Sequence, residues 1–264
     1  MSLNIDLRGR VYVVSGAARG GISGGVARRI AAAGGAVACV DNQPAVLEET
    51  LADVRAGGGT AQGFVIDLMD PAQTDTLVPQ VLRHFGRLDG VANVAGGTRE
   101  QDWVPLERTP LDIFRETLNL NLEYVFRVCR DVAASMIGRK VPGSLVNVGS
   151  ISALTSAPWH GPYGAAKSGI AALTRTMANE WQYYRIRANT VSPGAVMTQR
   201  VRERAAAANV VAGSNRNFTA IDDVANAIVF LLSDLAAGIS GQTLVVDSAL
   251  STKFCAGERT PPKV

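Results

Sequence analysis

Short apolar runs alternate with longer amphipathic stretches along the whole chain. Arg10 to Ser15 is an apolar run met at once by glycines, which predicts a buried parallel strand entering a turn. Val26 to Ala33 then has helical spacing and stops at Gly34-Gly35. Ala36 to Val40 predicts a second buried strand, ending at Asp41, and residues 44 to 56 a polar-faced helix closed by Gly57-Gly58-Gly59. A third strand at Phe64-Val65-Ile66 ends at Asp67; a helix over 72 to 85 and a fourth strand over Leu88 to Asn93 follow. Beyond a loop with Trp103 and Pro105, one long helix is predicted over about 111 to 138. Ser144 to Val148 is the fifth strand, a helix runs from Tyr163 to about Tyr184, and Arg187 to Val191 is the sixth. An Arg/Ala-rich segment, 197 to 217, precedes a helix at 221 to 233, and Leu244-Val245-Val246 closes the sheet. The residues from Leu250 to Val264 read as a tail outside the sheet. Regular alternation of strand and helix predicts an α/β fold: a single domain built on a doubly wound parallel sheet of about seven strands, with helices on both faces.

Composition narrows the partners. With 264 residues, 47% of them hydrophobic, the chain can fill the core of such a domain. The net charge of +3 is small and the arginines are scattered, so no nucleic-acid footprint is expected. Apolar runs as short as Ala36 to Val40 predict no membrane span, and Met1 to Asp6 lacks the features of a signal peptide. Cys39, Cys129 and Cys255 are isolated, and with only His84 and His160 besides them no zinc spacing exists. The expectation is a reduced, cytoplasmic protein without metal.

Two stretches carry candidate chemistry. In Ser15-Gly16-Ala17-Ala18-Arg19-Gly20-Gly21-Ile22-Ser23-Gly24, glycines between a strand and a helix would let backbone approach a pyrophosphate at the helix N-terminus. Asp41, closing the next strand, could accept hydrogen bonds from both ribose hydroxyls of NAD and would repel the 2′-phosphate of NADP; Asn42, not Arg, follows it. The blander reading makes Asp41 a helix cap. The second stretch is Tyr163-Gly164-Ala165-Ala166-Lys167, a phenol and an ammonium one helical turn apart. A neighbouring positive charge favours the phenolate, so Tyr163 is expected to have a depressed pKa. Alternatively, Lys167 is a solvated side chain on an ordinary helix.

Taken together, these motifs resemble the short-chain dehydrogenase/reductase family, over almost the whole chain. The family's segment after the fourth strand is found as Asn93-Val94-Ala95-Gly96, with Val94 replacing a second asparagine. Its helix-borne asparagine is Asn121, its strand-five serine is Ser150 at the usual distance before Tyr163, and its Pro-Gly turn is Pro193-Gly194, with Val196 and then Thr198 at the carboxamide-binding position. The resemblance implies a Rossmann-like homotetramer that interconverts a secondary alcohol and a ketone with NAD. It implies Tyr163 as general acid/base, Lys167 as the group that lowers its pKa and holds the nicotinamide ribose, and Ser150 as the hydroxyl on the substrate oxygen. Asn121 would anchor a water joining Lys167 to solvent. The cofactor set implied is Gly16, Arg19, Gly21, Ile22, Ser23, Asp41, Asp67, Leu68, Asn93, Ala95, Gly96, Tyr163, Lys167, Pro193, Gly194, Val196 and Thr198. The glycine loop departs from the family by one extra residue and by Ser23 where a third glycine belongs; its hydroxyl could bond a phosphate. The family's enoyl-reductase branch spaces its Tyr and Lys more widely. A 3-oxoacyl reductase acting on a carrier or CoA, and a dinucleotide-binding protein without turnover, are the alternatives.

The substrate side is less specified. Its candidate walls are the 97 to 110 loop with Trp103, the 151 to 162 segment with Trp159 and His160, and the 195 to 217 lid with Arg200, Arg202, Arg204 and Arg216. Either His160 touches substrate or it is a loop histidine bound to backbone; the lid arginines either receive an anion or form a solvated helix face.

Overall fold

The computed structural model describes residues 4–207 and 218–252, with backbone alone at 204–207. Seven strands form one all-parallel sheet: β1 (Val11–Ser15), β2 (Ala36–Asp41), β3 (Thr60–Val65), β4 (Gly90–Asn93), β5 (Gly143–Val148), β6 (Ile186–Pro193) and β7 (Thr243–Val246). The order is β3-β2-β1-β4-β5-β6-β7. The chain winds outward from β1 to β3 and then returns to the far side of β1 for β4. That reversal leaves a crevice at the carboxyl ends of β1 and β4.

Between the strands run α1 (Ile22–Ala32), α2 (Pro44–Ala56), α3 (Pro71–Thr74), α4 (Leu77–Phe85), α5 (Leu111–Leu118), α6 (Tyr124–Arg139), α7 (Gly161–Trp181), α8 (Gln199–Ala207) and α9 (Ile221–Leu232). Strand alternation sends successive side chains to opposite faces. Tyr12 and Val14 of β1 pack with Val26 and Ile30 of α1 and Ile228 of α9, while Val11 and Val13 pack with Val81 of α4, Val128 of α6 and Ile170 of α7. Two apolar layers therefore sandwich the sheet, as the sequence pattern requires.

Three predicted elements differ from those observed. β3 begins at Thr60, where Gln62 and Gly63 hide the apolar pattern, and ends at Val65. The helix expected over 72 to 85 is split at Asp75-Thr76 into α3 and α4. The single helix expected over 111 to 138 is interrupted by a π-turn at Asn119–Glu123, where the Tyr124 N–H reaches back to the Asn119 carbonyl. The Asn121 side chain supplies the reason. The Asn121 amide donates to the Thr117 carbonyl at 3.1 Å and so takes an acceptor the helix ladder would use. Of the predicted tail, Leu250–Thr252 forms a single 3-10 turn, and the rest lies outside the described residues.

Candidate active site

A cleft of about 910 Å³ opens at the carboxyl ends of β1, β2, β4 and β5. The turn after β1 forms its floor. Gly16 has φ +67°, and a Cβ there would come within 2.8 Å of the Ala95 Cα, so glycine alone lets the two loops close against each other. The N-terminus of α1 carries no acidic residue in its first turn, which leaves its positive end free for an anion.

Ser23 behaves differently from the sequence expectation. Its hydroxyl accepts from the Ala18 N–H at 3.1 Å and donates to the Gly16 carbonyl in a short hydrogen bond. Its donor is thus spent inside the loop, not offered to a phosphate, and it ties together a turn one residue longer than usual.

Asp41 lines the cleft at the end of β2, with one carboxylate oxygen accepting the Gln43 N–H at 3.0 Å. Burial pushes its carboxyl up, and the backbone N–H groups of Gln43 and Asn42 pull it down. Arg19 also lines the cleft, but its guanidinium lies 3.7 Å from Asp53, which Arg28 shares.

On the opposite wall stand Ser150, Tyr163 and Lys167. Gly161 and Pro162 open α7, so Tyr163 occupies its first turn and Lys167 its second. The Lys167 Nζ is 5.6 Å from the centre of the Tyr163 ring and donates to the Val148 carbonyl at 2.8 Å. Ser150 is buried at the end of β5, its hydroxyl accepting from the Ser152 N–H at 3.1 Å.

The electrostatics correct one expectation. Burial pushes the Tyr163 phenol up, with the Ser150 hydroxyl acting against it, and burial pulls the Lys167 ammonium down to about 7. In the chain by itself, desolvation therefore dominates both members of the pair, holding the phenol protonated and pulling the proton off the ammonium.

Gly21, Ile22, Ala95, Gly96, Pro193, Gly194, Val196 and Thr198 also line the cleft, so most of the implied cofactor set is brought together. Four of the expected site residues are outside its lining. The Asn93 amide is buried and donates to the Asn147 side chain at 2.9 Å, clamping β4 to β5. Asn121 is buried too, and its amide accepts from the Gly97 N–H at 2.8 Å and donates to the Gly97 carbonyl at 3.0 Å. Asp67 caps its own turn by accepting from the Met69 N–H, and Leu68 is buried in the core.

Above the cleft, α8 is clasped on both sides. The Gln199 N–H donates to the Gly20 carbonyl at 3.0 Å, and the Arg200 guanidinium to the Thr98 carbonyl at 2.7 Å. Arg204 and Arg216 carry side chains outside the described residues. His160 receives its backbone partner, the Pro158 carbonyl, 2.7 Å from Nδ1, yet its ring also stands between Trp103 at 4.3 Å and Tyr163 at 5.8 Å. Sequence reasoning missed the π-turn and the Ser23 tie, since neither leaves a periodic trace. Among the described residues no cluster of His, Cys, Asp and Glu could hold a metal ion, and no helix is long and apolar enough to cross a membrane.

Residues 16–251 match a family model described as Enoyl-(Acyl carrier protein) reductase. The chain is 33% identical to the D-threitol dehydrogenase of Mycolicibacterium smegmatis, over 96% of this chain and 98% of that protein. It is 32% identical to the 2,5-dichloro-2,5-cyclohexadiene-1,4-diol dehydrogenase of Sphingobium indicum, over 93% and 98% respectively. Among solved structures, an NAD+-bound xylitol dehydrogenase superposes with a TM-score of 0.82 at 29% identity, covering 92% of this chain and 99% of that one.

Proposed function

Because the chain belongs to the short-chain dehydrogenase/reductase family, we propose that it interconverts a secondary alcohol and its ketone with NAD, using Tyr163 as general acid/base. The observation that carries this reading is the convergence of Ser150, Tyr163 and Lys167 on one wall of a cleft whose floor is a glycine turn.

The cleft fits a dinucleotide. A Cβ at Gly16 would fill the close approach between the β1 and β4 turns, and the N-terminus of α1 offers N–H groups to a pyrophosphate. Asp41 would hold the adenosine ribose and Lys167 the nicotinamide ribose. When bound, NAD supplies the acceptor for the hydride that leaves the alcohol carbon. The chain's own residues manage the proton. Tyr163 as phenolate removes it from the alcohol oxygen, and as phenol returns it in the reverse direction. Ser150 holds that oxygen while negative charge develops on it. The Lys167 ammonium, anchored on the Val148 carbonyl, favours the phenolate as far as it remains charged.

Preference for NAD rests on Asp41, whose carboxylate would face a 2′-phosphate, and on Arg19, whose guanidinium lies with Asp53. The same charge disfavours a 3-oxoacyl reductase of the NADP-preferring kind. We further infer a homotetramer. A groove of about 410 Å³ between α6 and α7, lined by Phe126, Ile137, Leu173, Met177 and Trp181, leaves apolar surface for a second copy to cover. The buried free thiols of Cys39 and Cys129 suit a reduced cytoplasmic setting.

An NADH-absorbance screen over cyclic alcohols, hydroxy acids, sugars, steroids and dihydrodiols tests the reading. Turnover of at least one secondary alcohol is expected. NAD binding without turnover of any class would turn the assignment to a binding protein.

A further inference from the structure

A second cavity, of about 720 Å³, opens at the amino ends of β1, β4, β5 and β6, at the opposite end of the sheet from the candidate active site. Doubly wound folds hold their usual ligands at the carboxyl ends of the strands, so the fold itself assigns this cavity no occupant. Its wall is basic. Arg10, Arg87, Arg185 and Arg187 line it against Asp89 and Asp234, four positive charges against two negative, an excess of two. Both carboxylates are already engaged. Asp234 takes the Arg10 guanidinium on its two oxygens. Asp89 takes Arg87 in the same way, with Oδ1 2.6 Å from Nη2 and Oδ2 2.8 Å from Nε, and Oδ2 also accepts the Val11 N–H at 2.8 Å. The surplus charge therefore sits on Arg185 and Arg187.

Arg187 is half-buried and makes no ion pair among the described residues. Its Nη1 donates to the Leu231 carbonyl at 2.8 Å and its Nη2 to the Ser233 carbonyl at 3.0 Å, at the carboxyl end of α9. A helix end carries only about half a unit of negative charge, so these carbonyls fix the guanidinium without neutralising it. Burial is the largest influence on Arg187 and disfavours its charge. Arg185 is exposed on the turn between α7 and β6, and its side chain makes no hydrogen bond or ion pair among the described residues. Its backbone is left-handed, at φ +58°, a conformation that favours glycine. Solvation alone accounts for an exposed arginine. It does not account for one kept at a glycine-favouring position on the wall of a cavity that already holds an uncompensated guanidinium.

We propose that this cavity binds a small organic dianion, a phosphate monoester or a dicarboxylate, with Arg185 donating the paired hydrogen bonds and Arg187 supplying a fixed charge. The excess of two charges matches such a ligand at neutral pH. The planar fork of a guanidinium matches the paired oxygens of carboxylate and phosphate. The volume exceeds what an inorganic ion needs and falls within the range of small-molecule sites.

Calorimetric titration of glucose 6-phosphate and of succinate tests the site, in a buffer free of other multivalent anions and with and without saturating NADH. At least one of the two should bind saturably, with the same affinity in both conditions, and more weakly as NaCl is added. Glucose 6-phosphate binding alone assigns a phosphate monoester, succinate alone a dicarboxylate, and both together the shared charge. Arg185→Gly removes the fork and suits the left-handed backbone, so it should fold with an unchanged thermal midpoint while binding the anion about tenfold more weakly or worse. Arg185→Glu should abolish anion binding and leave NADH affinity as in the unmutated protein. No saturable binding of either anion, displacement of the anion by NADH, or unchanged anion affinity in Arg185→Glu would overturn the proposal.

Discussion

Lys167→Met should make the protein more stable at neutral pH, and the gain should vanish as the pH rises. Folding takes the Lys167 ammonium out of water and lowers its pKa from 10.5 to about 7. The folded-state pKa is depressed, so between pH 7 and 10.5 the unfolded chain holds a proton at this site that the folded chain has released. Stability then rises with pH across that window. At about 1.4 kcal/mol per pKa unit, the site costs roughly 4 kcal/mol at pH 7 and roughly 1 kcal/mol at pH 9.5. Methionine removes that cost but also the hydrogen bond to the Val148 carbonyl, which contributes about 1 kcal/mol. The variant should therefore be more stable than its parent by about 3 kcal/mol at pH 7 and about equal to it at pH 9.5. Urea unfolding of both ligand-free proteins at one concentration, at the two pH values, reads this directly. Subtracting the parent removes other groups whose unfolded forms titrate in the same range, such as the thiols of Cys39 and Cys129, which burial in the folded chain pushes up to about 12. A difference that stays flat, or that grows with pH, would refute the argument that Lys167 is held in the site against its own solvation.

Asp41→Ala should erode a preference for NAD over NADP of at least about tenfold, roughly 1.4 kcal/mol, chiefly by improving NADP binding; equal dissociation constants in the unmutated protein would reject the charge argument. Ser23→Ala deprives the Ala18 N–H and the Gly16 carbonyl of their shared partner and should cost about 1–3 kcal/mol in thermal or urea unfolding, with weaker NAD binding. Light scattering at micromolar concentration should return a tetramer mass, and a monomer mass would leave the α6–α7 groove without its proposed occupant.

Much of this architecture is legible in the residues. Apolar runs such as Val11 to Val14 are buried on both faces, so they announce central parallel strands without help from neighbours. Asp41, Ser150, Tyr163 and the Gly16 turn are placed by strand ends and helix starts, which sequence punctuation marks well. What stayed hidden depends on contacts across the chain. The π-turn exists because the Asn121 amide prefers Gly97 and Thr117 to solvent, and nothing in its local spacing reveals that preference. Arg127 was visible in principle as a charge in an apolar stripe, but its partner at Leu68 lies far off in sequence. Spacing reveals that Tyr163 and Lys167 are adjacent but not how they titrate, because desolvation depends on everything packed above the pair.

The central claim is that Tyr163 moves the proton, and Tyr163→Phe tests it most directly on whichever alcohol the screen identifies. The substitution removes the ionisable oxygen and keeps the ring beside His160, so NADH binding followed by fluorescence should survive. In the parent, alcohol oxidation should rise with pH as the phenol, raised by burial, loses its proton. In the variant that rise should disappear and kcat should fall by about a hundredfold or more. Near-normal turnover in Tyr163→Phe, with the parent's pH profile intact, would contradict the account at its centre.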